Sequence, residues 1–144
     1  MILIDANLLL YAYDSGSEFH RAAADWLAAA FSGPEPVGLT WVTILAFLRI
    51  STHPRMRAQP FTSAEAVAIV QEWLDQPNVR LLAPTSRHWA ILQDLIPKAQ
   101  VRAALMTDAH LAALAIEHGA VLYTNDRDFT RFPGLKWRNP LDAA

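Results

Sequence analysis

Residues 106–129 read MTDAHLAALAIEHGAVLYTNDRDF. Thr107 or Asp108 can cap a helix that Gly119 ends, because glycine takes the left-handed conformation that closes many helices. The strand Val121 to Thr124 follows at once, and two aspartates, Asp126 and Asp128, stand one residue apart just beyond it. A helix feeding directly into a short apolar strand is half of a β-α-β unit. Folds of that kind bind ligands at the carboxyl edge of the sheet, so acids placed there point to a ligand.

The rest of the chain repeats the alternation. Met1 to Ile4 is an aliphatic run ending at Asp5, as expected of a buried parallel strand. Asn7 to Tyr13 carries the chain away, and Ser17 can cap a helix through HRAAADWLAAAF. SGPEP at 32–36 is a loop by composition, VGLT at 37–40 a second strand, and WVTILAFLRI at 41–50 a nearly all-apolar helix buried on most sides. Pro54 and Pro60 bracket an arginine-bearing loop. TSAEAVAIVQEWLD at 62–75 opens with the capping-box pair Thr62 and Glu65 and carries Ala66, Val67, Val70, Trp73 and Leu74 at helical spacing. VRLLAP at 79–84 is a third strand and RHWAILQDLI at 87–96 another helix. The expectation is an α/β fold in which a central parallel sheet is flanked by helices, built as a single domain over 1–144 with no repeat and no linker.

Composition narrows the chemistry. Hydrophobic residues make up 53% of the 144 residues and charged ones 18%, against roughly 45–50% and about 25% in an average soluble chain. A generous core, a partner or a homodimer interface would account for the excess. Cysteine is absent, which excludes disulfides, thiolate nucleophiles and cysteine-held zinc or iron–sulfur centres. The N-terminus has no basic region and meets an acid at position 5, so it reads as a strand rather than a signal peptide, and no apolar run is long enough to span a bilayer. These features place the chain in the cytoplasm with no membrane partner. Net charge is −2, yet Pro36 to Ala64 holds no acid while Arg49, His53, Arg55 and Arg57 all fall within it, which makes a local basic patch.

In such a sheet Asp5 lies past the first strand, Asp126 and Asp128 past the last, and Asp108 at the start of the helix between. All four can converge on one edge. Clustered carboxylates repel unless something positive sits among them, and without cysteine or a paired-histidine motif a hard divalent cation, Mg2+ or Mn2+, is the natural occupant. Each acid also has a plain structural reading: Asp5 as a turn residue, Asp108 as a helix cap, Asp126 and Asp128 as solvated loop. Those readings do not explain why every acid lands at the same edge.

The segments LIDANLLLYA, WVTILAFLRISTHPR and TDAHLAALAIEHGAVLYTNDRDF, in that order and spacing, resemble a PIN domain, in particular a VapC-type toxin ribonuclease, over essentially the whole chain. The resemblance implies a PIN-like fold and a metal-dependent endoribonuclease in a type II toxin–antitoxin system. It implies Asp5 and Asp108 as Mg2+ ligands, Asp126 completing the acidic cluster, Asp128 contributing nearby or holding the loop, and Asn7 orienting the first acid. It implies water rather than the ribose 2′-OH as nucleophile, leaving a 5′-phosphate, with a VapB-type antitoxin as partner. Arg49, Arg55 and Arg57 then become candidates for RNA phosphate contacts, against the alternative of a solvated face. One departure stands out: the family commonly carries a glutamate near the place where this chain has Ala46, and no acid from 36 to 64 replaces it.

Rival readings fit less well. A haloacid-dehalogenase-like enzyme wants a second aspartate where Asn7 stands, a receiver wants an acidic pair, and the glycines at 16, 33, 38, 119 and 134 form neither nucleotide-binding loop. His20, His53, His88, His110 and His118 show no metal-binding spacing and read as structural or surface residues, and Trp41, Phe47 and Trp73 as core or interface. The alternative left standing is a catalytically weak PIN-like protein that acts mainly by binding RNA or a protein partner, motivated by Ala46.

Overall fold

In the computed structural model, which describes residues 1–142, the first strand β1 (Ile2–Ile4) is the centre of a five-stranded parallel sheet. Ala143 and Ala144, the end of the expected 1–144 domain, lie outside the described residues. The chain continues through α1 (Ala6–Ala12), α2 (His20–Ser32), β2 (Val37–Thr40), α3 (Trp41–Ser51), α4 (Ser63–Asp75), β3 (Val79–Leu82), α5 (His88–Lys98), α6 (Leu105–Glu117), β4 (Val121–Tyr123), a 3-10 turn (Arg127–Arg131) and β5 (Trp137–Arg138). Strand order is β3-β2-β1-β4-β5, and every pairing is parallel.

Alternation along the short strands divides two cores. Leu3 and Leu122 point into one formed with α5 and α6, while Ile2, Ile4, Val37 and Leu39 point into the other with α1 to α4. Phe47 and Trp73 are buried in the second, their rings 4.6 Å apart and edge-on. Gly38 on β2 lets Leu82 pack close: a Cβ there would stand 2.7 Å from Leu82 Cδ1 of β3, which would have to turn aside.

Local signals fix most helix ends. Thr62 and Glu65 form the expected capping box, each side chain accepting from the other's backbone N–H at 3.1 and 2.9 Å. Thr40 caps α3 by accepting from Thr43 N. Gly119 at φ +63° ends α6, with Gly119 N donating to Ile116 O and Ala120 N to Ala115 O, the paired bonds of a Schellman motif.

Several expectations need correction. Asn7 to Tyr13 is more than a connection, because Asp5 accepts from Ala6 N and starts α1 there. Ser17 does not cap α2, whose N-cap is Phe19 without a side-chain bond; Ser17 Oγ accepts from Phe19 N one turn early. Neither Thr107 nor Asp108 caps α6, which begins at Leu105 after Gln100 and Ala103 turn the chain with φ of 54° each. Both therefore sit in its first turn. Helix α3 buries one face only, leaving Trp41, expected in core or interface, and Leu45 exposed. The two-residue β5 is too short to carry a period of its own.

Helix α6 is anchored from its far end. The buried Glu117 carboxylate accepts from Thr85 N and from His88 Nδ1, His88 Nε2 lies 2.9 Å from His110 Nδ1, and Arg87 donates to Glu117 O. Burial works against this charge, but the bonds from Thr85 and His88 hold its pKa below the ordinary 4.5. A lowered pKa means stability present at neutral pH and lost as pH falls through the folded-state value. Glu117→Ala should lower the unfolding free energy at pH 7 by about 2 kcal/mol, the loss expected when buried donors are left without an acceptor. Urea titrations at pH 7 and pH 3.5 check this, with the gap between wild type and variant shrinking at the lower pH.

Candidate active site

The parallel register places Asp5 before it has any chemistry. Ile4 pairs with Tyr123, and Asp5 N donates to Tyr123 O at 3.0 Å, so Asp5 and Thr124 leave the sheet side by side at its carboxyl edge. Connections from β1 run one way to β2 and β3, and the chain then crosses back to β4. The seam between β1 and β4 is thus the topological switch point, where such sheets bind ligands.

At this seam Asp5 Oδ1 accepts from Ala6 N at 2.8 Å and Oδ2 from Thr124 Oγ1 at 2.8 Å. Asn7 reaches the same place: its Nδ2 lies 3.4 Å from Asp5 Oδ2 and donates to Thr124 Oγ1 at 3.2 Å, while its Oδ1 accepts from Asn125 N at 3.3 Å. Thr124 Oγ1 also accepts from Asp126 N. Asn7 and Thr124 therefore lock the two strand ends together around the first carboxylate. Burial pushes the Asp5 pKa up, the Thr124 and Ala6 bonds oppose this, and the charge of Asp126 adds to the rise.

Asp108 comes to the same opening from the first turn of α6. An open cleft of about 510 Å³ is lined by Asp5, Ala6, Val42, Thr43, Leu45, Ala46, Arg49, Thr107, Asp108 and Leu111. The Asp108 pKa is pushed up to about 6, by burial first and then by the charges of Asp5, Asp126 and Asp128, with Arg131 opposing. Asp108 thus feels the charge of the other three expected acids. They do not all play one part, however. Asp126 starts the 3-10 turn by accepting from Asp128 N at 2.9 Å, and Asp128 is exposed within that turn. Among the described residues, no group of three or more histidine or acidic side chains is drawn together so as to hold a metal ion.

The three arginines part company. Arg49 lines the cleft and is exposed, and Arg55 is exposed in the loop. Arg57 turns inward, donating from Nη2 to Tyr13 O at 2.7 Å and lying 4.4 Å over the Phe61 ring, with Nε and Nη1 buried and without a partner. Ala46 faces the cleft, so the place of the absent glutamate is on the site itself. Sequence reasoning missed Thr124 and the Glu117–His88–His110 chain. A hydroxyl immediately after a strand and before the acids was a usable signal for Thr124; nothing local marked the histidines.

With this geometry in hand, a family model described as PIN domain matches residues 2–135. Ribonuclease VapC33 of Mycobacterium tuberculosis is 45% identical over 141 residues, covering 98% of this chain and 99% of that protein. Ribonuclease VapC37 of the same organism is 42% identical over 140 residues, covering 97% of each. Among solved structures, VapBC-1 from nontypeable Haemophilus influenzae superposes with a TM-score of 0.71 over 99% of this chain and 100% of that one. Its 15% identity makes that a likeness of fold.

Repulsion at the site has a measurable sign. Between the ordinary aspartate value of 3.8 and about 6, folded protein keeps a proton on Asp108 that the unfolded chain releases. Stability therefore falls as pH rises through that window. Asp108→Asn should melt higher than wild type at pH 7.5 in chelator, and the difference should vanish near pH 4. Calorimetric scans across pH check it; parallel melting curves for the two proteins would remove Asp108 from the repulsive cluster.

Proposed function

We propose a function from one plain premise: the chain belongs to the PIN-domain family. It is a VapC-type endoribonuclease that hydrolyses RNA phosphodiester bonds with a divalent cation, Mg2+ or Mn2+, and it is the toxin of a toxin–antitoxin pair working in the cytoplasm. The observation that carries this reading is the meeting of Asp5 and Asp108 on one cleft at the switch point, from opposite ends of the chain. The near full-length identity to two proteins named ribonucleases supports it.

The donor set fits a hard cation. It consists of carboxylates whose charges push up the pKa of Asp108, with Arg131 opposing there, and of Asp5, where Asp126 adds to the rise caused by burial. Mg2+ is usually held by one or two carboxylates, with waters and substrate phosphate completing its shell, so Asp5 and Asp108 suffice, with Asp126 at the margin. Such a cation supplies charge neutralisation at the phosphoryl group and a more acidic water. The chain's own residues do the positioning. Thr124 and Asn7 fix Asp5 Oδ2, the first turn of α6 presents Asp108, and Asp126 with Asp128 keeps the potential negative. Arg49 offers a guanidinium to a flanking phosphate, and exposed Arg55 extends that path. Arg57 acts by holding the loop that carries Arg55. A VapB-type antitoxin and a second copy of the chain are the protein partners, for which exposed Val67, Leu81 and Trp89 offer apolar surface.

Ala46 keeps a second reading in play, in which the protein binds RNA but turns over feebly. Purified chain incubated with total cellular RNA decides between them. Products that need Mg2+ or Mn2+, stop with chelator and are lost in Asp5→Asn and Asp108→Asn are the expected result; binding without products in either metal favours the feeble reading. Cation affinity should also fall as pH drops below about 6, because the proton held by Asp108 competes. Titration calorimetry with Mn2+ at pH 5 and pH 7.5 checks this without RNA. In the same assay Ala46→Glu should tighten Mn2+ severalfold, since the new carboxylate joins the cleft; unchanged affinity would separate position 46 from the cation.

A further inference from the structure

The sheet edge that carries the acids runs on to its last strand. Ile4 of β1 pairs with Tyr123 of β4, which pairs with Arg138 of β5, and Thr124 N donates to Arg138 O at 3.0 Å. Asp5, Thr124 and Asn139 are therefore the first residues beyond three neighbouring strands and stand in one row. Asn139 opens the segment NPLD at 139–142 and lines no part of the cleft. Its Oδ1 accepts from Leu141 N at 3.0 Å, which fixes the orientation of the amide, because a backbone N–H can only donate. Its Nδ2 then donates to Asn125 Oδ1 at 2.8 Å and, with the second hydrogen, to Asp142 Oδ1 at 3.3 Å. Leu141 packs against the second core and holds this turn down.

Resting on the ribonuclease reading, we infer that Asn139 is a positioning residue of the cation site: through Asn125 it holds the turn that sets Thr124 and Asp126, and so fixes the direction of Asp5 Oδ2. Asn125 is the joint between Thr124, whose hydroxyl donates to Asp5 Oδ2, and Asp126, whose N–H donates to that same hydroxyl. A rotation at Asn125 would move both. Its other ties are longer, 3.3 Å from its N–H to Asn7 Oδ1 and 3.4 Å from Nδ2 to the Tyr11 hydroxyl, and both come from α1, the helix that begins at Asp5 itself. Asn139 supplies the tie from the other side, so the acid-bearing turn is held between α1 and β5. Bonds of this kind orient the oxygens that meet a cation and set its affinity. The Arg127–Asp142 pair of the same tail adds little, because its side chains are 73% and 54% exposed.

Mn2+ binding is measured without RNA, by titration calorimetry on wild type, Asn139→Ser, Asn125→Ala and the double variant. Serine keeps an oxygen that can accept from Leu141 N, so the tail turn survives, but it is too short to reach Asn125. Asn139→Ser should bind Mn2+ roughly tenfold more weakly, the lower end of losses when a partner of a metal ligand is removed. Asn125→Ala should lose at least as much, and the double variant no more than Asn125→Ala alone, since one residue acts through the other. Amide exchange in the metal-free protein reads the bonds themselves. Asn125 and Asp126 N–H should exchange faster in Asn139→Ser, while Val37 N–H, bonded to Asn78 O in the sheet, keeps its rate. In RNA cleavage kcat should fall and KM hold. Wild-type Mn2+ affinity in Asn139→Ser, or losses that multiply in the double variant, would overturn the inference and leave the ribonuclease reading standing. So would faster exchange at Val37 as well, which would make the effect one of overall stability, or a rise in KM at constant kcat, which would make Asn139 an RNA contact. Wild-type protein that binds no Mn2+ would instead remove the metal-dependent reading, and the role of Asn139 with it.

Discussion

A carboxylate held at the seam of two parallel strands, with no cationic side chain against it among the described residues, is the constraint around which this molecule is arranged. Asp5 is tied by a backbone N–H and the Thr124 hydroxyl, and Asn7 braces the same seam. Those bonds satisfy its oxygens but do not neutralise its charge, so burial and the neighbouring Asp126 still raise its pKa. Bringing Asp108 to the same opening compounds the repulsion. A fold that spends stability on such an arrangement is stable for reasons found elsewhere, in the two apolar cores that the β1 alternation separates. The site and the core meet at Leu111, which belongs to the first core and lines the cleft, and register brings the acids to that junction.

Register also explains what the sequence made legible. The strands β1, β2 and β4, the capping box at Thr62 and the Gly119 stop each rest on a local signal within a few residues, and local signals survive folding. The convergence of Asp5 and Asp108 followed from topology, because alternating elements of one sheet leave little choice of edge. What stayed hidden depended on contacts between residues far apart in sequence. Thr85, His88, His110 and Glu117 meet only because α5 packs on α6. Arg57 looked like its neighbour Arg55 until Tyr13 O and the Phe61 ring gave it an inward partner. The exposure of Trp41 was hidden for the opposite reason. Its helix is so apolar that composition suggested burial all round, while its N-terminal turn stands at the sheet edge with nothing packed over it.

The alanine at position 46 gains meaning from its place on the cleft. A glutamate there would add a negative charge beside Asp5 and Asp108, strengthening a cation site and further destabilising the ion-free protein. Alanine moves the balance the other way. Fewer charges repel, a cation at the cleft would meet fewer oxygens, and the wall that Ala46 belongs to stays apolar from Val42 to Leu45. The missing carboxylate and the apolar wall are two faces of one alanine.

Positioning Asp108 then becomes a problem of holding a helix whose N-terminus has no side-chain cap. The chain reaches α6 through Gln100 and Ala103, both left-handed without being glycine, a conformation that costs roughly 1–2 kcal/mol per residue. Such local strain persists only where surrounding contacts over-determine it. Here Val101 is buried, Val101 N donates to Ile96 O, and Arg131 reaches Ala99 O from the end of the 3-10 turn that Asp126 starts. Arg131 is also the guanidinium that opposes the rise in the Asp108 pKa. One side chain thus braces the strained approach to α6 and moderates the charge that α6 presents, while the Glu117 clamp fixes the opposite end. The first turn of α6 is held in place from both sides and capped from neither, which leaves its acid facing the cleft.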